Sequence, residues 1–365
     1  STCTLQVSVL DNTKPTWTTA AGNLDRTVSC SDAAGLTAAQ ALVPVASDNC
    51  DAALTPVKTA GQFIAGACPQ AGSYTNTWTV SDDCGNVVSA VYTQTITIFD
   101  NTAPTGTPPT GTANINACYV NATTPPTGTP AFNATTAAAG YTDNCGGTVS
   151  AVLTNTAVTG NNCAWTVTYT FRVMDECNNV RPDQIIQHTG GDMTAPKGTA
   201  PAGTTGINAC YVNATTPPTG TPAFDAIAAA AGYTDNCGGP VTAVLTGTSV
   251  SGDDCAWTVT YTFKVLDVCN NELAGQKIEH KGGDKTPPVV KLNNTCVYLT
   301  EYGKWTLVEA DKNNMTKDVT DNCSDFNELY FTFSPRSFDC NDAAKNNPVV
   351  VTATDLCNNT ASATG

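Results

Sequence analysis

The clearest pattern along the chain is a strict alternation. Trp165, Val167, Tyr169, Phe171 and Val173 alternate with Thr166, Thr168, Thr170 and Arg172. A period of two sends alternate side chains to opposite faces of a strand, so one face is buried and the other solvated. Residues 257–265 repeat the pattern, and Tyr74, Asn76, Trp78 and Val80 give a weaker version. Further strands are predicted at 91–99, 148–154 and 240–246, separated by clusters of Gly, Asn, Asp and Pro. Helical periodicity is weak, and the Ala-rich stretch 134–139 is expected to form one turn at most. The aromatic stripe reads as core, because a stacking platform for sugars or bases would need its rings exposed.

These strands sit inside a repeat. NACYVNATTPPTGTPAF occurs at 116–132 and 208–224, GYTDNCGG at 140–147 and 232–239, and CAWTVTYTF at 163–171 and 255–263. A short linker marks each boundary: DNTKP at 11–15, DNTAP at 100–104, DMTAP at 192–196 and DKTPP at 284–288. Successive linkers are 89, 92 and 92 residues apart. The expected organisation is repeat 1 at 11–99, repeat 2 at 100–191, repeat 3 at 192–283 and repeat 4 at 284–365. Residues 1–10 are expected to be the final strand of a truncated upstream repeat, and repeat 4 to be truncated at its C-terminal end. Short strands in units of about 90 residues predict tandem immunoglobulin-like β-sandwich repeats in an elongated array.

Composition places this array outside a reducing compartment. The chain has 17 cysteines in 365 residues, which points to an oxidising environment and a disulfide framework. No Cys-x-x-Cys pair occurs, and the two histidines are not spaced as zinc ligands with cysteines. The net charge of −15 excludes a general nucleic-acid binder, which needs a basic face. No apolar run reaches the roughly 20 residues of a membrane span, and no signal peptide is present.

Sixteen cysteines fall four to a repeat. Cys3 is left over, its partner expected upstream. The third and fourth cysteines of a repeat, such as Cys163 and Cys177, bracket the long strand. Its ends lie too far apart for the approach of about 7 Å between Cα atoms that a disulfide needs. Greek-key strand order would bring the second and fourth cysteines to the pole beside the incoming linker, and the first and third to the other pole. The expected pairs are therefore Cys30–Cys68, Cys50–Cys84, Cys118–Cys163, Cys145–Cys177, Cys210–Cys255, Cys237–Cys269, Cys296–Cys340 and Cys323–Cys357.

The motifs SDNC or TDNC, then DDCGN, DECNN, DVCNN or DLCNN, then a strand and DNTAP, resemble the HYR-like immunoglobulin-type repeats of giant surface proteins in Bacteroidota. INACYVNATT, GYTDNCGG and CAWTVTYTF are similar to repeats in gliding-motility adhesins of the SprB type. The resemblance implies export through the type IX system across a bacterial outer membrane, attachment at the cell surface, and a role in adhesion or a surface filament.

Candidate chemistry is sparse. His188 and His280 occupy equivalent positions in duplicate repeats, with no GxSxG or HExxH motif beside them, so no enzyme is expected. The acidic residues are more informative. Each repeat has a linker Asp (Asp11, Asp100, Asp192 and Asp284, with Asn101 beside the second). It has another before the second cysteine (Asp48, Asp143, Asp235 and Asp321) and a third two residues before the fourth (Asp82, Asp175, Asp267 and Asp355). If the topology brings them to one pole, these hard oxygens suit Ca²⁺ at the repeat junctions. The alternative is that they form Asx turns holding the loops. No other cofactor is expected. The TTPPTGTP segments at 123–130 and 215–222 read as extended loops, suited to lateral packing.

Near-duplicate repeats favour a structural stalk or spacer, because a spacer needs copies and a binding site usually needs one. Its partners would be neighbouring repeats of the same chain and laterally associated copies. The alternative is a module binding a surface carbohydrate or protein. In that case the fourth repeat, with Tyr298, Tyr302, Trp305, Tyr330 and Phe331, is the expected place.

Overall fold

A computed structural model describes residues 2–365. The protein is mostly β, and it divides into two compact units, one ending at Gly191 and the other beginning at Asp192.

In the first unit, the alternating segment of repeat 2 is the strand Trp165–Met174, with its apolar set buried. It is central in a four-stranded sheet, antiparallel to Ser150–Gly160 on one side and Val180–Gly191 on the other. Ile115–Asn116 adds a short parallel edge. The second layer contains little strand. The helix Ala134–Ala138, a two-residue ladder between Thr105–Gly106 and Tyr141–Thr142, and the loop through Ala117 and Ala122 close over the sheet. Small residues let this backbone lie close to the aromatic stripe. Phe132 packs obliquely on Tyr169 and Phe171, at 5.9 and 5.6 Å between ring centres.

Repeat 1 builds the same sheet from Gly72–Thr79 and Tyr92–Phe99, with Arg26–Ser29 parallel at the edge. Its alternation is weaker because two inward positions are polar. Asn76 and Gln94 are fully buried. The Asn76 amide donates to Gln94 Oε1 at 3.0 Å, and Gln94 Nε2 donates to the Leu24 and Ala39 carbonyls at 2.7 and 3.0 Å. A buried polar pair satisfied in this way fixes its neighbours without an unpaired group. The pair ties the sheet to the helix Ala33–Gln40, capped by Asp32.

In the second unit, repeat 3 reproduces repeat 2 from Thr242–Gly252, Trp257–Leu266 and Glu272–Gly283. Repeat 4 has a three-stranded sheet of Tyr330–Ser334, Val350–Thr354 and Thr360–Thr364, and the pair Val289–Leu292 with Thr316–Thr320.

Three expectations change. Residues 2–10 form no strand among the described residues, and Leu5, Val7, Val9 and Leu10 are exposed, since no sheet edge pairs with them. The TTPPTGTP segments are compact turns: Gly128 N donates to Thr124 O, and Thr129 N to Ala122 O at 2.7 Å. The buried Thr129 hydroxyl meets Tyr169 Oη, which donates to Pro130 O. The strands Val180–Gly191 and Glu272–Gly283 are longer than their polar sequences foretold.

Candidate functional site at the repeat junctions

Two contacts fix one pole of repeat 2. Trp165 Nε1 donates to Ala117 O at 2.8 Å, and Tyr119 N donates to Asn162 Oδ1 at 2.9 Å. They lash the first-cysteine loop to the start of the third-cysteine strand. Gly190 sits where a side chain would strike the Trp165 ring and Ile115 O, so the edge strands close only around glycine.

The opposite pole gathers the acidic turns. In each DxC turn the aspartate is consumed within the turn, by backbone N–H groups and an asparagine side-chain amide. Asp175 Oδ1 accepts from Cys177 N and Asn179 N at 2.8 and 2.9 Å, and its Oδ2 accepts from Asn179 Nδ2 at 2.8 Å. Asp267 and Asp355 repeat this set, and Asp82 binds the backbone and amide of Asn86 in the same way. These residues are the Asx-turn scaffold. Their asparagines also reach the linker: Asn86, Asn271 and Asn359 donate to the carbonyls of Asp11, Asp192 and Asp284 at 3.0, 3.0 and 3.3 Å.

The other two aspartates differ. Asp143 Oδ2 accepts from Cys145 N at 2.7 Å, but its Oδ1 is buried without a partner. The same holds for Asp48, Asp235 and Asp321. The linker aspartates Asp100, Asp192 and Asp284 each bind the backbone N–H two residues on and leave Oδ2 buried and unpartnered. Asp192 and Asp284 are only 4% exposed. Asp100 lies with Asp175 and Cys177, Asp192 with Asp235 and Cys237, and Asp284 with Asp355 and Cys357, the ligand atoms of each trio within 4.8 Å. Burial, with Asp143 and Asp175 nearby, raises the Asp100 carboxyl above its ordinary range. Asp11 is instead lowered, chiefly by its bond from Thr13 N. Asn101 is exposed. Buried, unpartnered carboxylate oxygens are costly unless something positive or protonated meets them, and a hard cation fits oxygens of this kind. The neighbouring sulfurs Cys177 and Cys357 are bonded to other cysteines and offer no thiolate.

The cysteine pairing corrects the expectation. Cys30 bonds Cys145 and Cys68 bonds Cys177, with Cα atoms 5.4 and 5.0 Å apart. In the second unit Cys210 bonds Cys323 and Cys255 bonds Cys357, at 5.3 and 4.9 Å. The expected pairs Cys30–Cys68, Cys145–Cys177, Cys210–Cys255 and Cys323–Cys357 are therefore not formed. The poles bring the expected cysteines to the same end, but the bonds run across the junction. The first and third cysteines of one repeat join the second and fourth of the next. Cys118, Cys163, Cys237 and Cys269 are also disulfide-bonded, whereas Cys3, Cys50, Cys84, Cys296 and Cys340 are free and exposed. Cys50–Cys84 and Cys296–Cys340 are thus not bonds of this structure.

Neither histidine has a catalytic setting. His188 and His280 are buried, and each Nδ1 accepts a backbone N–H, from Thr112 at 2.9 Å and Thr204 at 3.0 Å. Burial lowers both below the ordinary imidazole range. The aromatic residues of repeat 4 are divided. Phe331 is core and Trp305 packs against it, while Tyr298, Tyr302 and Tyr330 are exposed. No helix among the described residues is long and apolar enough to cross a membrane.

Fold and junction together define a class: small β repeats in series, tied in pairs by disulfides within each unit. Residues 18–98 match the family model described as an HYR-like domain with 4 cysteines, so repeat 1 is HYR-like. No curated protein matches the sequence. Among solved structures, protocadherin gamma B7 extracellular cadherin domains 1–4 are similar at 10% identity and TM-score 0.30, covering 86% of this chain and 90% of that one. Protocadherin gamma B2 domains 3–6 give 9% and 0.27, with 96% and 98% covered. At these scores the overlay is loose and bears on neither ligand nor partner.

Proposed function

We propose that the chain is a load-bearing stalk in an extracellular adhesion-type surface protein. The observation that carries this reading is that the disulfides join successive repeats. A binding module needs its own fold stabilised; bonds between neighbours serve a chain pulled along its length. In this reading residues 11–99, 100–191, 192–283 and 284–365 are the serial elements, and many disulfides place them outside a reducing cytosol. Their resemblance to repeats of gliding-motility adhesins supports a bacterial surface filament exported through the type IX system. Divalent cations, Ca²⁺ foremost, would sit on the unpartnered oxygens of the linker and DNC aspartates, neutralising buried charge at each junction. Direct binding of a surface carbohydrate through Tyr298, Tyr302 and Tyr330 is the second reading, favoured only by their exposure.

The test is peptide mapping of the unreduced protein. Cys30–Cys145, Cys68–Cys177, Cys210–Cys323 and Cys255–Cys357 are the expected cross-linked peptides. Recovery of Cys30–Cys68 and Cys210–Cys255 instead would leave the repeats independently stapled and remove the basis for the stalk.

A further inference from the structure

Each of the four disulfides described above has a carboxylate against its sulfurs. Asp100 lies within 4.8 Å of both sulfurs of Cys30–Cys145, and Asp254 stands in the same relation to Cys210–Cys323. Asp100 and Asp175 flank Cys177 of the bond to Cys68, and Asp284 and Asp355 flank Cys357 of the bond to Cys255. The linker and DxC aspartates belong to the junction turns. Asp254 does not: it precedes the third cysteine of repeat 3.

The fold does not need the charge at 254. Asp254 Oδ1 accepts from Tyr211 N at 2.7 Å, and in repeat 2 the uncharged Asn162 accepts from Tyr119 N at 2.9 Å in the same way. What the charge does touch is the disulfide. Cys210 is 4% exposed, whereas Cys323 is half-buried, so a thiol attacks Cys323 Sγ and leaves the new thiolate on Cys210 Sγ. Both sulfurs lie within 4.8 Å of the carboxylate, which repels negative charge on either. The Asn322 amide opposes this, at 2.7 Å from Cys323 Sγ and 3.4 Å from Cys210 Sγ. It is a dipole, and its field falls off faster than that of a full charge. Repulsion between two unit charges about 5 Å apart is worth roughly fourfold in rate even in bulk water, and more where water is partly excluded.

We propose that Asp254 is an electrostatic guard that shields Cys210–Cys323 from small anionic thiols, and that Asp100 does the same for Cys30–Cys145. The reductant is a thiol carrying net negative charge, glutathione in the test. Its thiolate bonds Cys323 Sγ, the disulfide breaks, and the electron pair passes to Cys210 Sγ. A second glutathione thiolate displaces Cys323, giving glutathione disulfide. The protein thiolates take up the two protons lost by the two glutathiones. A thiol carrying its own positive charge, such as cysteamine, brings no net charge as its thiolate and meets less repulsion.

This rests on the junction pairing of the proposed function. The experiment uses the full chain in chelator at neutral pH, with Cys3, Cys50, Cys84, Cys296 and Cys340 blocked beforehand by N-ethylmaleimide. Reduction by glutathione and by cysteamine is followed bond by bond, by quenching with iodoacetamide and peptide mapping. Asp254→Asn should raise the ratio of glutathione rate to cysteamine rate at Cys210–Cys323 by about threefold or more, and leave Cys30–Cys145 unchanged. Asp100→Asn should do the converse. Added salt should shrink both effects. Equal acceleration by the two thiols would mean a loosened loop and would overturn the proposal, as would unchanged rates. In either case the Cys210–Cys323 peptide is still present before reduction, and the stalk reading stands. Absence of that peptide at the outset would remove the junction pairing and overturn both readings.

Discussion

Pulling on the two ends of the oxidised chain should release far less length than its sequence contains. The bond Cys30–Cys145 spans 115 residues, and Cys210–Cys323 spans 113. Force passing through either bond bypasses the peptide between its cysteines, even after the sheets have come apart. An extended residue contributes at most ~3.5 Å, so these two bonds alone hide on the order of 800 Å of contour. The measurement is single-molecule force extension of the full chain, before and after reduction with a thiol. Reduction should add at least that length, in steps that appear only once the sheets yield. An expected within-repeat bond such as Cys30–Cys68 spans 38 residues and would hide about a third of what Cys30–Cys145 hides. An oxidised chain that extends to its full sequence length, or one unchanged by reduction, would refute the load path described above.

Other expectations concern the junction oxygens and the core. In chelator, Asp100→Asn should stabilise the protein at neutral pH. The raised Asp100 carboxyl contributes stability below the ordinary value of about 4, and this is lost as pH rises through its folded value. With Ca²⁺ in excess the same substitution should lower the melting temperature instead, since a ligand at 100 times its Kd adds about 2.7 kcal/mol per site; the same sign in both buffers would exclude a cation there. His188 and His280 are depressed, so the stability they contribute is present above the unfolded value near 6.5 and lost as pH falls. His188→Asn with His280→Asn should keep an acceptor for Thr112 and Thr204 and flatten melting temperature between pH 7 and 5. Trp165→Phe should cost about 1–3 kcal/mol in denaturant unfolding, because it orphans the Ala117 carbonyl held by Nε1.

The sequence made the strands at 165–173 and 257–265 legible because alternation and burial coincide there. It placed a strand between the DECNN motif and the next linker but not its extent; pairing with the long strand carries Val180–Gly191 through Pro182, Asp183 and two terminal glycines. The helix Ala33–Gln40 was missed because its apolar residues are mostly alanines and only Asp32 marks its start. The acidic pole was foreseen from the turns, and so was the meeting of first with third cysteines at the other end. The bonding partners were not. Spacing within one repeat cannot show which pole faces which neighbour, and the register of four cysteines is identical for bonds inside a repeat and between repeats. Likewise nothing local distinguishes Asp143, with an orphan oxygen, from Asp175, whose oxygens are taken up by backbone N–H groups and the Asn179 amide.

The overlap of the disulfide loops has one more consequence. Cys30–Cys145 and Cys68–Cys177 interleave, as do Cys210–Cys323 and Cys255–Cys357. Cleave the backbone once anywhere between Cys30 and Cys177, and at least one bond still joins the two fragments; the same is true from Cys210 to Cys357. Exposed turns such as those at Gly146 and Gly238 can therefore be nicked by a protease without parting the strand of protein. Over those spans the chain accumulates cuts without losing a fragment, and its integrity is set by the redox state of its surroundings.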